Sequence, residues 1–153
     1  MPSIDPERVF VDTNIFLGYL TNDDPEQADE VERRLVAAAA GSVSLLTNVI
    51  VLAEIVWTLE LSYKLPRDEI RDHVLAILNS DGLIVENGDL ILQAITDYVD
   101  LNIDFADAYS ASWSIIREVT TICTFDSRHL GRIDDIDVRS PGEIVIPEGP
   151  PQS

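Results

Sequence analysis

The chain has 153 residues, 46% of them hydrophobic, which fits a single domain able to bury about two-thirds of its unfolded surface. Its 28 acidic against 10 basic residues give a formal charge of −18, which counts against capture of a polyanion by a basic surface. One cysteine excludes an internal disulfide, and no apolar run reaches the roughly 18 residues of a membrane span, because Glu54 interrupts the best candidate.

The opening Met1-Pro2-Ser3-Ile4-Asp5 lacks a basic segment followed by an apolar one, so no secretory signal is expected. Cys123 lies in an apolar stretch and reads as a small buried side chain. A reducing cytoplasm fits these features. Lys64 is the only lysine. The acidity has two readings, a surface tuned for solubility or adaptation to concentrated salt, where the screening length falls to about 3 Å near 1 M. In such a medium counterion release contributes little, and a nucleic acid must be held by metal bridges, stacking or base contacts.

In chain order, Val9-Phe10-Val11 predicts a strand, and Asp12-Thr13-Asn14 supplies capping side chains for a short helix from about Ile15 to Leu20. Asp24-Pro25-Glu26-Gln27 opens a second helix, with Ala28, Val31, Leu35 and Ala38 at helical spacing until Gly41. Val43 to Leu46 is a strand. Asn48 to about Ser62 is apolar on nearly every side and predicts a largely buried helix, with Trp57 in the core. Pro66 opens a helix that carries Ile70, Val74 and Ile77 on one face. Leu83-Ile84-Val85 is a strand, Asn87 to about Val99 a helix, and Asp104 to about Arg117 another, with Trp113 read as core. Thr121 to Thr124 is a fourth strand, and Ile136-Asp137-Val138 an edge strand. The single domain is expected to span 1–153, with its core over 9–141 and a mobile tail over 142–153 that is rich in proline and glycine. Strands alternating with helices predict an α/β domain with a parallel sheet, whose ligands bind beyond the carboxyl ends of the strands.

Four acids fall where strands end or within helices: Asp12, Glu54, Asp107 and Asp126. Converging carboxylates repel one another unless a divalent cation occupies the space between them. A site of that kind serves phosphoester chemistry. Each acid also has a plainer reading. Asp12 can cap its helix, Glu54 can lie on one wet edge, and Asp126 can cap the turn from Ser127 to Leu130. Asp104 and Asp107, spaced i, i+3, both suit a helix dipole, with Asp104 better placed as cap and Asp107 as ligand. The small residues Ala108, Ser110, Ala111 and Ser112 would let that helix approach the sheet closely. Two histidines, His73 and His129, and one cysteine are too few for a usual zinc site. His129, beside Arg128, reads as an exposed surface residue rather than a phosphate contact.

Asp12-Thr13-Asn14 after an apolar strand, Leu52-Ala53-Glu54 within a helix, Asp104-Phe105-Ala106-Asp107-Ala108, and Thr124-Phe125-Asp126 together resemble the PIN domain. More narrowly, the chain is similar to VapC-type toxins of toxin–antitoxin pairs, from about Val9 to Pro141. The resemblance implies a PIN-like three-layer sandwich, with about five parallel strands and helices on both faces. It implies a Mg2+- or Mn2+-dependent endoribonuclease, with Asp12 and Asp107 as metal ligands and Glu54 and Asp126 completing the catalytic pocket. Asp104 is a secondary member, and Thr13, Asn14 and Thr124 would orient the carboxylates. Expected partners are an RNA substrate, a cognate antitoxin and a second copy in a homodimer, with no membrane. Ser127-Arg128-His129-Leu130 departs from the family pattern, where an aromatic residue is common. A receiver domain also gathers acids at strand ends, but needs a lysine near them, and Lys64 sits in a polar stretch between helices. A nuclease of RNA maturation and a PIN-like module that binds without cutting remain alternatives.

Overall fold

The computed structural model describes residues 5–149. Within them the elements run β1 (Glu7–Phe10), α1 (Thr13–Thr21), α2 (Pro25–Ala39), β2 (Val43–Thr47), α3 (Val49–Leu61), α4 (Arg67–Leu78), β3 (Leu83–Val85), α5 (Gly88–Asp100), α6 (Phe105–Ile116), β4 (Thr121–Cys123) and β5 (Asp137–Arg139). Short 3-10 turns form at Leu130–Arg132 and Pro141–Glu143.

Side-chain caps hold the start of α2, as predicted at Asp24, and of α3, where the cap is the residue at which the helix is predicted to begin. The Asp24 carboxylate accepts the Glu26 and Gln27 amides at 3.1 and 3.3 Å, with Pro25 as the first helical residue. Asn48 does the same for Ile50 and Val51 at 3.1 and 3.2 Å. The first strand starts two residues before its predicted position, and Val11 retains one ladder bond by donating to the Leu46 carbonyl at 2.8 Å. The last strand lies one residue later than predicted, because Cys123 of β4 pairs with Arg139.

Every strand pair is parallel, as the α/β reading requires. The expected single sheet of about five strands is hydrogen-bonded in two pieces among the described residues, ordered β1-β2-β3 and β4-β5. This leaves β1 as an edge, and its exposed, charged Glu7 and Arg8 are residues that suit an edge. Strand alternation then separates two faces. Val11, Leu45 and Leu83 are buried on one. The register partners Phe10, Leu46 and Ile84 lie on the other, with Phe10 56% and Ile84 53% exposed beside a groove of about 450 Å³.

The core gathers Leu52, Ile55 and Leu59 of α3, Ile70 and Val74 of α4, Ile91, Ile95 and Tyr98 of α5, and Phe105 of α6. Ile70, Val74 and Ile77 share the buried face of α4, as their spacing predicts. Gly82 (φ +79°) enters β3 against the Ala38 carbonyl of α2, where a Cβ has no room.

A polar clasp closes one end of this core. Arg67 Nη1 donates to the carbonyls of Tyr98 and Ile103, each at 2.7 Å, and its guanidinium lies 4.1 Å from the Tyr98 ring centroid. The Tyr98 hydroxyl donates to Glu60 at 2.6 Å; burial, then this carboxylate, push the phenol well above its ordinary pKa. The clasp fixes the turn that leads from α5 into Asp104.

Three side chains expected inside are outside. Trp57 and Trp113 are 39% and 43% exposed, and Trp113 packs its ring against Arg117, whose guanidinium carbon is 4.0 Å away. On α3 the acidic Glu54, three residues before Trp57, marks this wet face. Cys123, the last residue of β4, is exposed. At the start of the predicted tail, Ser140 and Glu143 form a capping box around Pro141–Glu143. Residues 144–149 have no helix or strand, and 150–153 of the predicted tail lie outside the described residues, as do 1–4.

Candidate active site

Asp12 follows β1 and is the N-cap of α1; its Oδ1 accepts the Thr13 amide at 2.8 Å. Thr13 then donates its hydroxyl to Glu54 Oε2 at 2.6 Å, reaching across 41 residues of sequence. One threonine thus joins the acid at the end of β1 to the acid in mid-α3. Glu54 lies on the exposed side of a helix otherwise buried, with Ile50, Trp57 and Leu61 also exposed. The plainer wet-edge reading of Glu54 therefore describes its solvent exposure, while Thr13 gives it a partner. Asn14 instead lines an apolar cavity of about 720 Å³ between β1, α1 and α2.

The second group forms at the start of α6. Asp104 takes the N-cap position without a side-chain cap bond. Burial pushes the Asp107 carboxyl above the usual carboxylate range; the charge of Asp104 adds to the rise, and that of Asp126 adds less. His129 lies beside both acids. It is half-buried rather than exposed as predicted, with Nδ1 3.1 Å from the Asp104 amide and 3.4 Å from Asp107 Oδ2. Nδ1 cannot accept the amide hydrogen and also donate to Asp107. The shorter contact, with an amide donor of fixed position, takes the Nδ1 lone pair, so Asp107 is a close neighbour of this nitrogen and not its hydrogen-bond partner. Twenty-five residues separate His129 from Asp104, so no local pattern announced this contact.

Asp126 departs most from expectation. Arg128 of the same loop grips it, with Nε 3.3 Å from Oδ1 and Nη2 3.2 Å from Oδ2, and the Arg128 amide also donates to Oδ1 at 3.1 Å. These bonds hold the carboxyl below its ordinary pKa. Thr124 fixes the backbone here, its Oγ1 accepting the Asp126 amide at 3.1 Å. Asp12, Glu54 and Asp104 make no ion pair among the described residues.

The predicted residues therefore stand in two groups, Asp12–Thr13–Glu54 and Asp104–Asp107–Asp126, the second joined by His129, which was not predicted for the site. Among the described residues, no three acid, histidine or cysteine side chains are close enough to share one ion. The donor chemistry nevertheless suits a hard divalent cation, since the groups offer carboxylate oxygens and Asp107 already feels its acidic neighbours.

Over residues 9–136 the sequence matches the PIN domain, and the chain belongs to that family. PIN domains are typically metal-dependent nucleases that act on RNA. Comparison with curated proteins returns no match. No helix among the described residues is long and apolar enough to cross a membrane.

Proposed function

We propose that the chain is a divalent-metal-dependent endoribonuclease, the toxin of a VapC-type toxin–antitoxin pair. The observation that carries this reading is the Thr13 bridge between Asp12 and Glu54, two motif acids from remote parts of a PIN domain. Asp12 and Asp107 would hold Mg2+ or Mn2+, with Glu54 and Asp126 completing the acidic pocket. Bound there, such an ion lowers the pKa of a water and neutralises charge on the phosphoryl oxygens. Thr13 commits Glu54 Oε2 and orients that carboxylate, leaving Oε1 to accept a proton from the attacking water. Asp104 adds negative charge beside Asp107, and Thr124 holds the Asp126 backbone. A cognate antitoxin and a second copy of the chain are its expected protein partners, the cytoplasm its location, and concentrated salt the medium that suits its charge.

Arg128 favours a second reading, a PIN-like module that binds RNA without cutting it, because Asp126 already has a cation of its own. Incubation of the purified protein with RNA, with and without Mg2+, in dilute and concentrated KCl separates the two. The enzyme cleaves only with the ion, and Asp12→Asn and Asp107→Asn abolish cleavage while circular dichroism stays unchanged. Full metal-dependent cleavage by both variants overturns the assignment.

A further inference from the structure

Phe125 is 90% exposed, the most exposed of the large hydrophobic side chains among the described residues. Looseness of its loop does not explain this. The Thr124 amide donates to the Arg139 carbonyl at 2.9 Å and the Asp126 amide to Thr124 Oγ1 at 3.1 Å, so the residues on both sides of Phe125 are tied down. The ring is presented to solvent from a fixed turn. It immediately precedes Asp126, and Arg128, whose side chain is 80% exposed, lies two residues beyond that acid. The Arg128 guanidinium is already held by Asp126, so the aromatic plane beside this candidate acid is the part of the turn that matches a nucleotide, through its base.

The formal charge of −18 sharpens the case. A chain with so few cations gains little from neutralising phosphates, whereas stacking on an aromatic face requires no net charge. Stacking requires a base whose own face is free, which paired strands do not offer.

We propose that Phe125 is the platform on which an unpaired base of a single-stranded RNA stacks beside the bond to be cut. This rests on the ribonuclease reading and adds to it a binding residue. A platform of this kind contributes to binding the ground state and the transition state alike, so its loss raises KM and leaves kcat largely unchanged.

The test compares the full chain with Phe125→Ala and Phe125→Trp on one short unstructured RNA and on the same RNA annealed to its complement, with Mg2+. The expected result is preferential cleavage of the single strand, a KM about ten-fold higher for Phe125→Ala, and recovery in Phe125→Trp. Unchanged melting temperatures show that the fold is intact, as replacement of so exposed a side chain should leave it. An unaltered KM in Phe125→Ala overturns the proposal, and in that case loss of binding to a partner protein would assign the ring to a protein contact. A fall in kcat that Trp does not restore, or equal cleavage of the duplex, overturns it too. If the unchanged protein cuts neither RNA, the nuclease reading fails, and the proposal is decided by binding. Quenching of a 2-aminopurine-labelled single strand by the unchanged protein but not by Phe125→Ala supports it, and equal quenching by both overturns it.

Discussion

Arg67→Ala should be among the most damaging single changes outside the acidic groups. It leaves the Tyr98 and Ile103 carbonyls without their donor, and a hydrogen bond from a charged group contributes about 1.5–3 kcal/mol. Loss of the stack on Tyr98 adds about 0.5–1 kcal/mol. The Glu60 contact, at 3.9 Å between side chains 28% and 36% exposed, adds little. Because all of these pass through one guanidinium they are not additive, and about 3 kcal/mol is a reasonable total. In a domain of this size each kcal/mol lowers Tm by about 2–4 °C, so the variant should melt about 6–12 °C below the unchanged protein. Arg67→Lys keeps the charge but not the planar fork, and should fall between the two. Thermal melts followed by circular dichroism measure this directly. A loss under about 2 °C for Arg67→Ala would mean that water or other donors satisfy both carbonyls, and the clasp would lose its structural role.

Other consequences follow from individual positions. Asp107 binds its proton more tightly in the folded chain than in the unfolded one, so its ionised form destabilises the fold at pH 7. Asp107→Asn should therefore raise Tm modestly at neutral pH, and the gain should vanish as pH falls below the unfolded carboxylate value; an equal gain at pH 3 and pH 7 refutes the linkage. The effect stays small because the side chain is 44% exposed. Gly82→Ala forces a Cβ into the Ala38 carbonyl at a positive φ, and should cost at least about 2 kcal/mol in denaturant unfolding, whereas Gly131→Ala, with open space around it, should be nearly neutral. Raising KCl should raise Tm steadily by screening the net charge of −18, and a flat response would remove self-repulsion as a factor in stability.

The caps and apolar runs made most of the fold legible. Asp24-Pro25 announces a helix because a polar side chain just ahead of an apolar repeat can satisfy free amides locally. What stayed hidden depends on contacts remote in sequence. Glu54, three residues before Trp57, marks the side of α3 that meets water, whereas nothing around Cys123 shows that its side chain is exposed. The acids could be chosen by position, and their grouping could not. The Thr13–Glu54 bond and the approach of His129 to Asp104 span tens of residues, while the grip of Arg128 on Asp126 was available two positions away. An arginine that close to an acid in a loop is a signal worth weighing in any such chain.

The division of the strands into two pieces also determines what sets the gap between the two carboxylate groups. A ladder would fix it in whole-residue steps. Here α6, which carries Asp107, rests through side chains on α5 and on α3, which carries Glu54. Ala108 and Ala111 are fully enclosed on that helix. Their methyl groups act as a gauge, and adding a carbon or two at either one re-spaces the acids while leaving every acid in the chain untouched.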